Sequence, residues 1–244
     1  RIWEFLAVTD THLVGTLGRA NIKKEWWTKA YPANSVLFAI NKQTGELSWT
    51  RKLREEADTN AIAIDGAKIF IIDGLTRHPL LFRKPLKGTP PNRTLEAIDL
   101  ASGHTIWQTT DIASTQNSLW AARGVVMASI QTYSRPMDDE KTSKAGGGIR
   151  VFSAHDGTKL WEAETEKTFT PVIIGGTLYT PKAYELTTGK PITTTNAIDG
   201  VASQFVPHMS KACAVYSGCP SMIMTRSGSL GFYDIKQQKG AYYY

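Results

Sequence analysis

The chain has 244 residues, 41% hydrophobic and 20% charged, with a formal net charge of +6. This length suits one large all-β domain or two ordinary ones, and the composition is that of a globular protein. No apolar run approaches the ~20 residues that span a bilayer. The basic residues form only short clusters at Lys23 and Lys24, at Arg51, Lys52 and Arg54, and at Arg83, Lys84 and Lys87, which read as solvated surface rather than a nucleic-acid track.

Residues 1–10, RIWEFLAVTD, read as a strand already in progress without an initiator Met, so a mature, trimmed or fragmentary chain is expected. Residues 6–14 (LAVTDTHLV) then predict a hairpin, and 19–34 read as a lid or short helix carrying Trp26, Trp27 and Tyr31 among lysines. Residues 37–49 read LFAINKQTGELSW, an apolar strand, a Thr-Gly turn and a returning strand bearing Trp49. A second hairpin signal at 61–72 (AIAIDGAKIFII) precedes a Pro-, Arg- and Lys-rich insertion at 77–93. The turn pattern then returns at 95–107 as LEAIDLASGHTIW, and the upstream hairpin returns at 119–127 (LWAARGVVM). A polar, Gly-rich insertion at 133–148 leads to a third copy at 149–161, IRVFSAHDGTKLW.

Two degenerate copies follow. Residues 183–192 (AYELTTGKPI) keep the Thr-Gly turn but place Thr193 where Trp would stand, after a hairpin at 172–179 (VIIGGTLY). Residues 230–240 (LGFYDIKQQKG) keep the strand and one Asp, after a hairpin signal at 222–230 (MIMTRSGSL). The glycines Gly45, Gly103, Gly157, Gly189 and Gly240 are separated by 58, 54, 32 and 51 residues. Three of these intervals fit a four-stranded unit with loops, and the short one implies a trimmed unit. Two hairpins per repeat make the blade of a β-propeller. The Gly supplies the positive φ of a tight turn. The indoles Trp49, Trp107 and Trp161 are suited to pack between neighbouring blades. The expected architecture is a single β-propeller over 1–244 with about five visible blades, either whole or part of a seven- or eight-bladed ring.

The pattern Leu-x-Ala-Ile-Asp-x-x-Ser/Thr-Gly-x-x-x-Trp closely resembles the repeat of the pyrroloquinoline quinone (PQQ) enzymes. The resemblance covers most of residues 37–240, and the motif is specific for the blade, less so for an activity. Within that family some members are quinoprotein dehydrogenases, others are cofactor-free propellers in outer-membrane assembly, and many are secreted or periplasmic bacterial proteins. The dehydrogenases combine an adjacent Cys-Cys disulfide over the quinone, a Trp beneath it, and Glu, Asn and Asp around calcium. Here Cys213 and Cys219 stand six positions apart, fitting either a local disulfide across a turn or two buried thiols. The acidic run Asp138, Asp139 and Glu140 reads as solvated loop, and Asp65 and Asp73 read as turn residues. Neither a catalytic residue set nor a metal-ligand set stands out.

The expectation is therefore a non-catalytic, periplasmic or secreted propeller that binds a protein partner or further blades. Its binding loops would be 19–34, 77–93 and 133–148, with Trp26, Trp27, Tyr31, Arg83, Lys84 and Lys87 as candidates. Two alternatives stay open: a quinoprotein-type dehydrogenase subunit using PQQ and calcium, and a carbohydrate-binding propeller using exposed aromatics such as Trp26, Trp27 and Tyr242, Tyr243 and Tyr244.

Overall fold

Alternating apolar and polar runs divided by Gly, Asp and Pro turns give 21 strands and no α-helix among the described residues of the computed structural model. It describes residues 2–18, 33–74, 93–112, 118–129, 148–164, 171–180, 182–195, 200–204, 215–226, 230–237 and 239–243. The chain divides into two compact units, Arg1–Ser129 with Phe152–Lys159, and Ile130–Val151 with Leu160–Tyr244.

The first sheet runs β1 (Ile2–Val8), β2 (His12–Gly18), β3 (Ala33–Asn41), β4 (Leu47–Asp58), each antiparallel to the next. The second repeats that order with β5 (Ile62–Asp65), β6 (Lys68–Asp73), β7 (Thr94–Asp99) and β8 (Thr105–Thr109). The third contains β9 (Ser118–Ala122), β10 (Val125–Ser129), β11 (Gly148–Ser153) and β12 (Lys159–Glu164), and the division between units falls within it. In the first unit, apolar side chains on facing sheets form two cores. Leu37, Ile62, Ile69, Ile71 and Ile98 belong to one, and Phe70, Leu95, Val126 and Phe152 to the other.

The second unit continues with β13 (Val172–Ile174), β14 (Thr177–Tyr179) and β15 (Ala183–Glu185), a three-stranded sheet. This is the trimmed repeat. Where a fourth strand would begin, pairing shrinks to a single bridge between Tyr184 and Pro191, because proline has no N–H to extend a ladder. The chain instead forms a separate ribbon of β16 (Thr193–Thr195) and β17 (Ala202–Gln204). The last sheet is β18 (Val215–Cys219), β19 (Met222–Arg226), β20 (Leu230–Asp234) and β21 (Lys239–Tyr243). The hairpin expected at 222–230 is present, since β19 pairs antiparallel with β20 as far as Arg226 opposite Leu230, and a further hairpin precedes it with Cys219 opposite Met222. One sequence expectation is corrected here: Gly240 is no turn residue, because it lies inside β21 opposite Tyr233.

The repeat turn has one geometry in four copies. Gly45, Gly103, Gly157 and Gly189 have φ between 69° and 77°. Each donates its N–H to the carbonyl four residues earlier, on Asn41, Asp99, Ser153 and Glu185, at 2.9 Å. The polar side chain at the turn start caps the loop in three of these copies: Asn41 Oδ1 accepts from the Gln43 and Thr44 amides, Asp99 Oδ1 from the Ser102 amide, and Ser153 Oγ from the His155 amide. A second tie recurs in all five repeats. Lys42, Leu100, Ala154, Leu186 and Ile235 each donate their N–H back to the upstream hairpin turn, at Thr11, Ala67, Gly124, Gly176 and Ser221. The fifth copy, poor in sequence, thus keeps this tie.

Each repeat Trp lies on the next repeat's glycine. A Cβ on Gly103 would sit 2.6 Å from Trp49, one on Gly157 2.5 Å from Trp107, and one on Gly189 2.5 Å from Trp161. Each indole N–H donates to the carbonyl three residues before that glycine: Trp49 to Leu100 at 2.9 Å, Trp107 to Ala154 at 3.2 Å, and Trp161 to Leu186 at 2.9 Å. The expected packing of these indoles between repeats is what the structure contains.

Trp107→Phe keeps a ring on Gly157 but loses the donor, and should lower stability by about 1 kcal/mol. Trp107→Ala also vacates the ring site and should cost about 3–5 kcal/mol. Urea unfolding followed by far-UV circular dichroism measures both.

In the second unit, burial first, then the neighbouring Tyr179 and Asp234, push the Tyr233 hydroxyl up to about 12. Its folded pKa is raised, so the folded state holds a proton the unfolded state has released. Stability should therefore fall as the pH rises from the ordinary tyrosine value of about 10 towards 12. Tyr233→Phe should flatten that part of a pH–stability curve.

Candidate functional site

Three features of the first unit can be built from side chains upward. The first is a set of charges between the first two sheets. Glu96, at 2% exposure, points from β7 at β4, where the Arg51 guanidinium pairs with one carboxylate oxygen and Arg54 reaches the other at 3.3 Å. Arg51 also donates to Thr105 at 2.9 Å, and Arg54 to Thr94 at 2.6 Å. Arg51, 26% exposed, is therefore partly withdrawn from the solvated surface expected from sequence, while Arg54, 57% exposed, remains on it. Asp73 is also corrected. It is buried, and its carboxylate accepts the amides of Arg54, Glu55 and Glu56 at 2.9, 3.0 and 3.3 Å. Three parallel N–H donors are what hold β4 in its bend, where Glu56 adopts φ 133°.

The second feature is a buried charged pair at the sheet edge. Asp58 caps a short 3₁₀ turn (Thr59–Ala61) through the Asn60 amide. Burial raises its pKa, against hydrogen bonds from Asn60 and the charge of Arg93. Burial likewise lowers Arg93 to about 10, and its Nε donates to the Gly74 carbonyl at 2.8 Å. Both features tie strands together.

The third feature is a cleft of about 480 Å³ where β1 faces β5. Phe5, Ala7, Thr9, Ile62, Ile64 and Gly66 are among the residues that line it. β1 and β5 are the first strands of their sheets, and neither has a partner on its outer edge among the described residues. Open edges beside apolar side chains are suited to accept an extended segment by strand addition.

The sequence-predicted residues fall into two groups. Gly45, Gly103, Gly157, Gly189, Trp49, Trp107 and Trp161 form the turns and clasps described above. Trp26, Trp27, Tyr31, Arg83, Lys84, Lys87 and Cys213 lie outside the described residues, as does most of each predicted binding loop. Cys219 is exposed at the end of β18, with its sulfur 3.7 Å from the Ser221 hydroxyl. The β1–β5 cleft was not anticipated, although the period-two apolar runs at 6–14 and 61–72 were signals for the two strands that form it. Among the described residues no three His, Cys, Asp or Glu side chains converge to hold a metal ion. No helix among them is long and apolar enough to cross a membrane.

With this repeat geometry established, comparison with known proteins is decisive. A family model described as "Outer membrane protein assembly factor BamB" matches residues 33–202. The chain belongs to the BamB family. Its fold is the PQQ-like β-propeller of that family. The crystal structure of BamB from Moraxella catarrhalis is similar with a TM-score of 0.59 at 12% identity, over 96% of this chain and 58% of that one. The computationally designed Ika8 protein is similar with a TM-score of 0.61 at 12% identity, over 98% of this chain and 60% of that one. The chain thus spans less than two thirds of either structure. Among curated proteins, none matches the sequence.

Hydrogen bonds from the Ser221 amide and hydroxyl lower the pKa of the Cys219 thiol. In a Cys213→Ser background, the pH midpoint of Cys219 alkylation by iodoacetamide should lie below that of a free thiol. Ser221→Ala should move it upward, read by mass spectrometry across a pH series.

Proposed function

We propose that this chain is a non-catalytic propeller module that holds a polypeptide partner by strand addition, working in outer membrane protein assembly as its family's name indicates. The observation that carries the reading is the β1–β5 cleft, where two unpaired strand edges lie beside apolar side chains. An extended segment there would gain backbone hydrogen bonds from either edge and place alternate side chains against Phe5 and Ile64. Such recognition is tolerant of sequence, which suits a module handling many unfolded β-strand-rich clients.

The groups that a quinoprotein centre would draw upon have other roles here. The three repeat indoles donate to carbonyls, and Glu96 and Asp73 are held by arginines and backbone amides. The same reading carries the periplasmic location expected from the sequence resemblance.

The test is fluorescence anisotropy of a dye-labelled, urea-unfolded outer-membrane β-barrel polypeptide titrated with the chain. Saturable binding is expected. Ala7→Trp, which fills the cleft, should weaken it at least tenfold while the unfolding midpoint of the chain stays in place. Unchanged binding by that variant removes the cleft from the reading. PQQ retained through gel filtration with calcium, with dye reduction by an alcohol or sugar, overturns the non-catalytic assignment.

A further inference from the structure

We infer that the β1–β5 cleft is held from both sides by one acid-sensitive knot of buried polar side chains, Thr16, Asn34 and Asp58, which tightens when Asp58 takes a proton. Its bearing on a client rests on the reading of the cleft as a strand-addition site.

Each wall is tied to the knot by hydrogen bonds. On the β1 side, Phe5 stands in the register shift between Trp3 and Leu6, and its amide donates to Thr16 Oγ1 at 3.1 Å. The Thr16 hydroxyl donates on to Asn34 Oδ1 at 2.6 Å. Asn34 in turn donates through Nδ2 to the Ala57 carbonyl at 3.0 Å and to Thr59 Oγ1 at 3.2 Å. Those two residues flank Asp58, which caps the turn Thr59–Ala61. That turn ends at Ile62, the first residue of β5 and part of the other wall. Thr16 and Asn34 are fully buried and Asp58 is 8% exposed. A buried chain of satisfied hydrogen bonds is rigid, so both walls take their position from it.

Asp58 is the one member that titrates. Arg93, ahead of β7, is the charge that acts on it. Glu56 lies two residues before it on β4, and Asp73 of β6 accepts the Glu56 amide. Burial outweighs Arg93 and the Asn60 hydrogen bonds and raises the Asp58 pKa above 3.8. The buried arrangement therefore keeps a proton that a solvent-exposed Asp58 has already released. It gains from protonation, and that gain is lost as the pH rises through the raised value. Above it, the charged carboxylate favours states in which the turn opens to water. Acid tightens the knot, and neutral pH lets the walls part more easily. A preformed cleft costs a client less to enter, so affinity follows the knot.

The experiment follows the knot by NMR hydrogen exchange and the client by the anisotropy titration, each from pH 7 to pH 5. Protection of the Phe5 amide and of the Asn34 side-chain amide, relative to Val126 in β10, should rise at least threefold on acidification. In Asp58→Asn, whose neutral side chain keeps the cap, both should be high at pH 7 and independent of pH. Client affinity should rise at least threefold over the same range in the wild type and stay level in Asp58→Asn. Thr16→Val is the second variant, should Asp58→Asn not fold: Phe5 then ceases to follow pH while Asn34 still does. Protection that does not change with pH, or that changes alike in the wild type and the variant, overturns the proposal. So does protection that titrates while client affinity keeps the same pH dependence in both proteins. A client that never binds removes the strand-addition reading alone, because protection still decides the knot.

Discussion

The packing of one indole on one glycine is the interaction on which this structure depends. It asks two things of the same residue. The turn needs a backbone conformation with φ near 70°, and the ring needs a neighbour with no Cβ, since one would stand about 2.5 Å from its carbons. Glycine alone satisfies both without strain. The tryptophan in turn has an N–H that would be costly to bury unpaired, and the carbonyl three residues before the glycine takes it. Turn, ring and hydrogen bond thus specify the contact between one repeat and the next. In an array whose stability is a sum of repeats and neighbour interfaces, such a contact is a large term. Against a typical total of about 5–15 kcal/mol, a clasp worth about 3–5 kcal/mol determines whether adjacent repeats stay together.

Around the constant clasp the remaining contacts vary. Between the first two sheets they are ionic, with Glu96 held by Arg51 and Arg54. From the second repeat to the third they are a lysine on a carbonyl, Lys68 to Ala154 at 2.8 Å, and a pair between Lys159 and Asp111 at 3.2 Å. The exposed partners of such pairs contribute little by themselves. The buried carboxylate is different. Glu96 without its arginines would be an uncompensated charge, so the pair selects this neighbour even where it adds little net stability.

The clasp was legible in the sequence because its parts are local: strand, Gly turn and Trp lie within thirteen residues, and the spacing repeats. The roles of Asp73 and Glu96 were not. Asp73 looked like a turn residue because it ends a strand, yet its three donors are 17–19 positions away. Arg51 looked solvated because the carboxylate it meets is 45 positions away. In the last repeat Gly240 gave a turn signal because it follows a strand and a polar run, yet the reversal is completed earlier, with Asp234 opposite Lys239, and Gly240 lies in β21. The β1–β5 cleft needs two strands over fifty residues apart to be brought together, and no local pattern encodes that.

The last two repeats show what happens when the indole is lost. In the second unit, Val172 and Ile174 of β13 pack with Tyr179, Ala183, Ile223 and Tyr233, an apolar cluster that joins the three-stranded sheet to the last one. Gly218 of β18 sits under it, and a Cβ there would stand 2.5 Å from Val172 and 2.7 Å from Ile174. Close approach across a glycine is kept, but the glycine is now in a strand and not a turn, and the group above it is aliphatic. An aliphatic contact has no N–H to place and so fixes no register against a carbonyl. Pro191 and Thr193 could therefore arise without leaving a buried donor unpaired, whereas the same changes at Thr105 and Trp107 would leave the Ala154 carbonyl and the Gly157 surface without their partner. Each repeat that carries the tryptophan is placed on the next by an indole hydrogen bond, whereas the contact between the fourth and fifth is built around this apolar cluster.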